Sequence, residues 1–338
     1  MNERRLYLDR GPGEERGVVT LDGRPERLLI ERAGADRGPR LGARYRVRVD
    51  EMGGGLGLAF VDLGEGEAGV MRLKPGGPSR GALLQAEVTA EARADKAAVL
   101  RLIGPAEGKP GLIGPAPTMQ TRLRDVLPEG EVIIGAAARE AADEAEDEAL
   151  AARHALGDGL VLTVEPTRAL VSVDVDLSPG AGRLRPVFAN LAAIRQAARL
   201  LRLKSLSGTV VIDLVGGSRD EPRLLQEART SFQPDQPGVV ILPVSRLGLL
   251  QVARPHRERP LEQVLCAADG RLSARSVAQR LVRELEREGR SSTGALLEGV
   301  CAPDVAAELA PLAAELGPRY SVTPALGWDR LKTDIRQR

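Results

Sequence analysis

Residues 159–178 read GLVLTVEPTRALVSVDVDLS, two apolar runs around Glu165, Pro166, Thr167 and Arg168. Their β-branched content and the turn residues between them predict a hairpin. Side chains alternate along a strand, so Val171, Val173 and Val175 line one face, while Ser172, Asp174 and Asp176 line the other. Downstream, FANLAAIRQAARLLRLKSL (188–206) has helical spacing: Leu191, Ile194, Ala198 and Leu201 form a stripe, with Arg195, Arg199 and Arg202 placed away from it. GTVVIDLVGG (208–217) is then a strand apolar on both faces until Asp213, and GVVILPVSRLGLLQVAR (238–254) supplies another strand and a basic turn. Strand, helix and strand in this spacing predict an α/β layer. Ligand-binding groups collect at the carboxyl ends of strands in such sheets, where Asp174 and Asp213 both fall.

The flanking sequence divides into further units. Residues 1–40 read as short strands, with an Asp-Gly turn inside GVVTLDGRPERLLIERA (17–33). Residues 41–104 hold five short alternating strands: YRVRVDEM, LGLAFVDLG, EAGVMRL, ALLQAEVTAEA and AAVLRLIG. They suit a closed barrel such as an OB-fold, or another small β-barrel or sandwich. Residues 105–158 read as a Pro/Gly linker, a short helix, a strand and an Ala/Glu-rich helix whose REAADEAEDEA stretch (139–149) reads as a solvated face. The α/β unit occupies 159–265, and 266–338 reads as a small α+β domain.

Composition narrows the function classes. With 48 basic and 47 acidic residues, any attraction to nucleic acid must be local rather than a property of the whole chain. Three Phe, three Tyr and one Trp are few for a protein that stacks many bases on aromatic platforms. Cys266 and Cys301 lack paired spacing, and nothing suggests a disulfide framework. The start has no apolar leader and no run is long enough to span a membrane, so the expectation is a soluble protein of the reducing cytoplasm.

Two aspartates at strand ends, with no paired thiols and with His154 and His256 elsewhere, suit a hard-oxygen site for Mg²⁺ or Mn²⁺ rather than a zinc or Ser-His-Asp centre. Capping or surface aspartates would give the same pattern. No phosphate-binding GxxxxGK[ST] or strand-linked GxGxxG is present.

ALVSVDVD, NLAAIRQAARLLRLKSLSGTVVIDL and VSRLGLLQVAR together resemble the catalytic core of the ribonuclease E/G family, whose segments read approximately S-I-D-x-N, N-L-E-A-A-x-E-I-A-R-Q-L-R-L-R-D-L-G-G, I-V-I-D-F and S-R-x-G-L-L-E. Less sharply, LGLAFVDLGEGEAGVM resembles that family's RNA-binding barrel, LPEGEVIIG the strand entering its RNA 5′-end sensor, and the tail from Ser273 its small C-terminal domain. The resemblance implies an RNase H-like or DNase-I-like α/β catalytic core with an inserted OB-fold barrel and a small α+β C-terminal domain. It also implies a Mg²⁺-dependent endoribonuclease acting on single-stranded, A/U-rich RNA. Asp174 and Asp213 would be the catalytic metal ligands, with Asn190 as the helix-start Asn of the motif and Arg246 as a phosphate contact or a structural turn arginine.

The departures matter equally. Asp176 replaces an expected Asn and adds a third carboxylate, which tightens metal binding or repels the substrate phosphate. The Arg-Thr pair of the 5′ sensor falls on Ala136 and Ala137, which implies loss of 5′-monophosphate sensing. The zinc-link motif is reduced to Cys266, so zinc is not expected, and a homodimer through the C-terminal domain would have to form without it. Phe60 is the one retained candidate for base stacking, with a core role as the alternative, because the second aromatic position is Val70. The readings left open are an endoribonuclease, a catalytically weakened RNA-binding relative, and an unrelated phosphohydrolase.

Overall fold

The computed structural model describes residues 3–34, 38–53, 57–74, 76–94, 96–177, 185–216 and 220–337. Strands β1 (Arg4–Gly11), β2 (Glu14–Leu21) and β3 (Arg24–Arg32) form an antiparallel meander. Asp22 and Gly23 both take positive φ, 51° and 78°, as a tight hairpin turn requires, so the Asp-Gly reading holds.

The barrel comprises β4 (Arg44–Gly53), β5 (Leu58–Gly64), β6 (Glu67–Arg72), β7 (Leu83–Ala90) and β8 (Ala98–Pro105). They pair in the order β5-β6-β8-β7-β4, and β4 closes back on β5. The β6–β8 pair is parallel and the rest are antiparallel, consistent with an OB-fold. Inward residues such as Val47, Val61, Met71 and Val88 fill its core. A sixth strand, β9 (Gly111–Gly114), pairs with β4 inside the stretch expected to be linker.

Helix α1 (Met119–Val126) leads to β10 (Val132–Ile133), which joins β1 in parallel at the edge of the N-terminal sheet. Then come α2 (Ala136–Leu150), β11 (Arg153–Gly157), β12 (Leu160–Pro166), β13 (Val171–Leu177), α3 (Pro186–Leu203), β14 (Gly208–Asp213), α4 (Glu221–Ser231), β15 (Val240–Ile241) and β16 (Leu249–Arg254). The central sheet runs β11-β12-β13-β14-β16-β15, and β13–β14 is its parallel pair. Helix α3 lies between this sheet and the N-terminal one: a single apolar core holds Val18 and Leu28, Ile194 and Leu201, and Val173 and Ile212.

That sandwich corrects two expectations. Arg199 and Arg202, placed on the polar face of α3, are buried because the N-terminal sheet and its neighbours cover that face as well. Arg199 donates to the Pro25 carbonyl at 2.5 Å and to Glu148 at 2.6 Å, while Arg202 pairs with Asp235 at 2.7 Å and Glu26 at 3.0 Å. The acidic helix is not a solvated face either. Its Ala138, Ala142 and Ala145 are fully buried, and Glu146 lies buried among arginines of β2 and of the C-terminal unit.

After α5 (Leu261–Leu265), the tail forms α6 (Ala274–Ser291), β17 (Leu297–Cys301), α7 (Pro303–Leu316), β18 (Tyr320–Pro324) and β19 (Thr333–Gln337). The strands pair in the order β18-β17-β19 and share a core with both helices. No helix among the described residues is long and apolar enough to cross a membrane.

Candidate active site at the carboxyl ends of the central sheet

The alternation of VSVDVDL is realised in β13: Val171, Val173 and Val175 are buried against the core, and Asp174 and Asp176 are exposed on the other face. In β14, Val210 and Ile212 point the same way as the valines, and Asp213 points out. The parallel register places Asp174 opposite Asp213. Neighbouring strands lie about 4.8 Å apart, so the two carboxylates project side by side from one face. Thr163 of β12 and Leu249 of β16 extend the same row on either side.

Neither aspartate has an ion pair or a side-chain hydrogen bond among the described residues, whereas buried Asp9, Glu26, Asp235 and Glu146 are held by arginines. Two such hard-oxygen groups fit a Mg²⁺ or Mn²⁺ ion, which takes one or two carboxylates and completes its shell with water or phosphate oxygens. Asp176 lies opposite Val161, beyond the last residue of β14, and has no partner on that strand. Among the described residues no three His, Cys, Asp or Glu side chains come together as a metal cluster. Asp176 is therefore not assembled with the pair as a third ligand, contrary to the sequence expectation.

Asn190 is corrected too. It is 1% exposed, and both halves of its amide are used: Nδ2 donates to the Val215 carbonyl and Oδ1 accepts from the Val215 N–H, each at 3.0 Å. Rather than facing RNA, it ties the start of α3 to the backbone two residues past Asp213. Asn190→Ala would leave a partly buried N–H and carbonyl of Val215 unpaired, an expected loss of about 1 kcal/mol, measurable by urea unfolding.

Arg246 is exposed in the turn Ser245–Gly248, whose Gly248 carbonyl accepts from Leu214 N–H at 3.3 Å, beside the end of β14. It has no ion pair among the described residues, so its guanidinium is available for a phosphate. Phe60 is 48% exposed on the barrel surface opposite Val70, while its neighbours Ala59 and Val61 fill the core. A core role for Phe60 is thereby excluded.

One feature escaped the sequence reading. Phe188, in the first turn of α3, is 44% exposed, and the guanidinium carbons of Arg185 and Arg223 lie 5.8 and 5.3 Å from its ring centroid. Pro186 packs against Gly216, so this aromatic–arginine cluster stands at the same end of the sheet as the aspartates. Its signal in the sequence was slight: one of only three Phe, three residues after an arginine.

The family model described as the ribonuclease E/G family matches residues 121–257, from α1 through β16 and including both aspartates. Across this segment the chain is similar to the ribonuclease E/G family. It is 30% identical over 158 residues to the chloroplastic ribonuclease E/G-like protein of Arabidopsis thaliana, covering 41% of this chain and 16% of the relative. It is 28% identical over 134 residues to ribonuclease E of Nostoc sp. strain PCC 7120, covering 37% and 20%. With ribonuclease G of Haemophilus influenzae the identity is 29% over 124 residues, covering 35% and 25%. The chain thus spans a quarter or less of the length of these ribonuclease E/G relatives.

Proposed function

We propose that the chain is a divalent-cation-dependent endoribonuclease that cuts single-stranded, A/U-rich RNA in the cytoplasm. The observation that carries this reading is the register pairing of Asp174 with Asp213, exposed and unpaired, within the segment that matches the ribonuclease E/G family. On this reading the central unit is the RNase H-like or DNase-I-like catalytic core, Asp174 and Asp213 hold Mg²⁺ or Mn²⁺, and the barrel is the RNA-binding domain. When bound, such an ion supplies charge neutralisation at a phosphodiester.

The chain's own residues supply the rest. Phe188 offers one ring face to a base while Arg185, Arg223 and Arg246 meet the backbone phosphates. Phe60 gives a second stacking position on the barrel. Asn190 fixes the strand end that carries Asp213. The C-terminal unit is assigned to self-association, with exposed Leu326 and Leu331 on its surface, and sedimentation velocity tests that assignment.

A fluorescent A/U-rich RNA should be cleaved in Mg²⁺ and spared in EDTA. A second reading, a weakened RNA-binding relative, draws on Asp176, which adds negative charge two residues beyond Asp174 on the same face. RNA binding without cleavage under every condition would favour it. Phe188→Ala should raise KM about tenfold with little change in kcat, since base stacking contributes about 1–3 kcal/mol per base; steady-state kinetics on the same RNA checks this. Ala136 and Ala137 are exposed in the first turn of α2 and carry no side-chain donor for a terminal phosphate. RNAs with 5′-triphosphate and 5′-monophosphate ends should therefore be cut at similar rates, and a strong monophosphate preference in competition assays would overturn that.

A further inference from the structure

At the opposite ends of β13 and β14 from the aspartates, a cleft of about 230 Å³ opens between the barrel and the central sheet. Its walls are the barrel turn around Arg93 and Lys96, the hairpin turn at Thr167–Leu170, and the segment from Leu206 to Gly208. On the barrel side, Ala94 N–H donates to Gln263 Oε1 at 3.0 Å. Gly208 and Asp213 are five residues apart on β14, about 16 Å at strand rise. The cleft is therefore separate from the aspartate pair.

Its charges are unbalanced. Arg93, Lys96 and Arg168 line it, and none of the three has an ion pair among the described residues. Glu262 is the one acidic residue on its described walls. Elsewhere in this chain, half-buried and buried guanidiniums such as Arg139, Arg199, Arg202 and Arg254 are matched by carboxylates. Arg93 is half-buried with no such match, and burial lowers its pKa. Beside it, the Ser207 hydroxyl is hydrogen-bonded to Nδ1 of His256. The left-handed Gly208, at φ 92°, lets the backbone pass His256, where a side chain would meet Nε2 at 3.2 Å. Burial, with Arg93, Lys96 and Arg254 nearby, holds the His256 pKa down to about 4, so the imidazole is neutral at pH 7. Three cations without ion pairs among the described residues line one cleft with a neutral hydroxyl–imidazole pair, which is the chemistry of a receptor for a compact anion.

We propose that this cleft binds a phosphate ester through Arg93, Lys96 and Arg168, with the Ser207–His256 pair as its neutral hydrogen-bonding wall. Two sources offer that chemistry: the terminal phosphate of a mononucleotide and a backbone phosphate of an RNA strand. The proposal does not rest on the endoribonuclease reading, because binding here is independent of Asp174 and Asp213.

The test is isothermal titration of the full chain with AMP, and separately with a short oligouridine lacking terminal phosphates. The Arg93→Ala/Lys96→Ala double variant should bind at least one of these probes about tenfold more weakly or worse, with an unchanged circular dichroism melt. Asp213→Asn should leave AMP binding as it is. Loss confined to AMP assigns the cleft to a terminal phosphate, and loss confined to the oligouridine assigns it to the RNA backbone. Affinities for both probes that the double variant leaves unchanged, or the absence of saturable binding of either probe, would overturn the proposal. A separate Arg168→Ala variant guards against a folding defect of the barrel turn, since Arg168 lies on the hairpin, and should weaken the same probe.

Discussion

Replacing Asp213 by Asn should lower cleavage of single-stranded RNA by about a thousandfold in saturating Mg²⁺, a loss of roughly 4 kcal/mol of transition-state stabilisation. Asp174→Asn should do the same. The double variant should be little worse than either single one, because two carboxylates that hold one ion act as a unit and their effects do not add. Stability should move the other way. Asp174 and Asp213 are register partners on an exposed face with no ion pair among the described residues, so without metal their charges repel. Removing one charge should raise the melting temperature of the metal-free protein slightly. Mg²⁺ should raise the wild-type melt and leave that of Asp213→Asn where it was, since only a folded state that binds the ion gains from it. Calorimetric melts with and without Mg²⁺ read this apart from activity. A variant that keeps wild-type cleavage, or that still gains stability from Mg²⁺, would remove Asp213 from the site.

The local alternation of this site was legible, whereas its assembly was less so. VSVDVDL announces which side chains share a face because the strand period is two, and β13 obeys it residue by residue. That Asp213 lies beside Asp174 rather than Ser172 or Asp176 is a matter of register, which the packing of α3 beneath both strands sets and no local pattern encodes. The same limit explains Arg199, Arg202 and Glu146. A helical wheel describes one covered face, but α3 is covered by two sheets, and α2 carries its acidic residues into the C-terminal unit's arginines. Asn190 shows a different limit: an amide at a helix start has no local cue that separates binding RNA from holding Val215. Phe188 gains its meaning from Arg223, thirty-five positions away on another helix (223 − 188). The barrel was the easiest part, since each of its strands alternates and turns are marked by glycine.

Replacing Glu146 by Ala should cost about 3–5 kcal/mol, the expected range for breaking a buried ion pair and stranding its partners. Glu146 is 2% exposed and accepts from Arg280 at 2.7 Å, Arg283 at 3.1 Å and Arg16 at 3.3 Å. Arg16 belongs to β2 and the other two to α6, so one carboxylate joins the N-terminal sheet, α2 and the C-terminal unit. Burial pushes the Glu146 carboxyl up, but attraction to Arg283 and Arg280, with Arg16, outweighs it and holds the group below the usual carboxylate range. Its folded pKa thus lies below its unfolded value of about 4.3. The stabilisation is fully present above that value and is lost as pH falls through the folded pKa. Urea unfolding at pH 7 should therefore show the full gap between wild type and variant, and the gap should narrow as the pH is taken down through and below 4. Salt should change it little, because buried charges are poorly screened. Glu146→Gln separates charge from shape: it keeps the volume and should lose nearly as much as Glu146→Ala. A loss under about 1 kcal/mol for both would place Glu146 among surface pairs of little consequence.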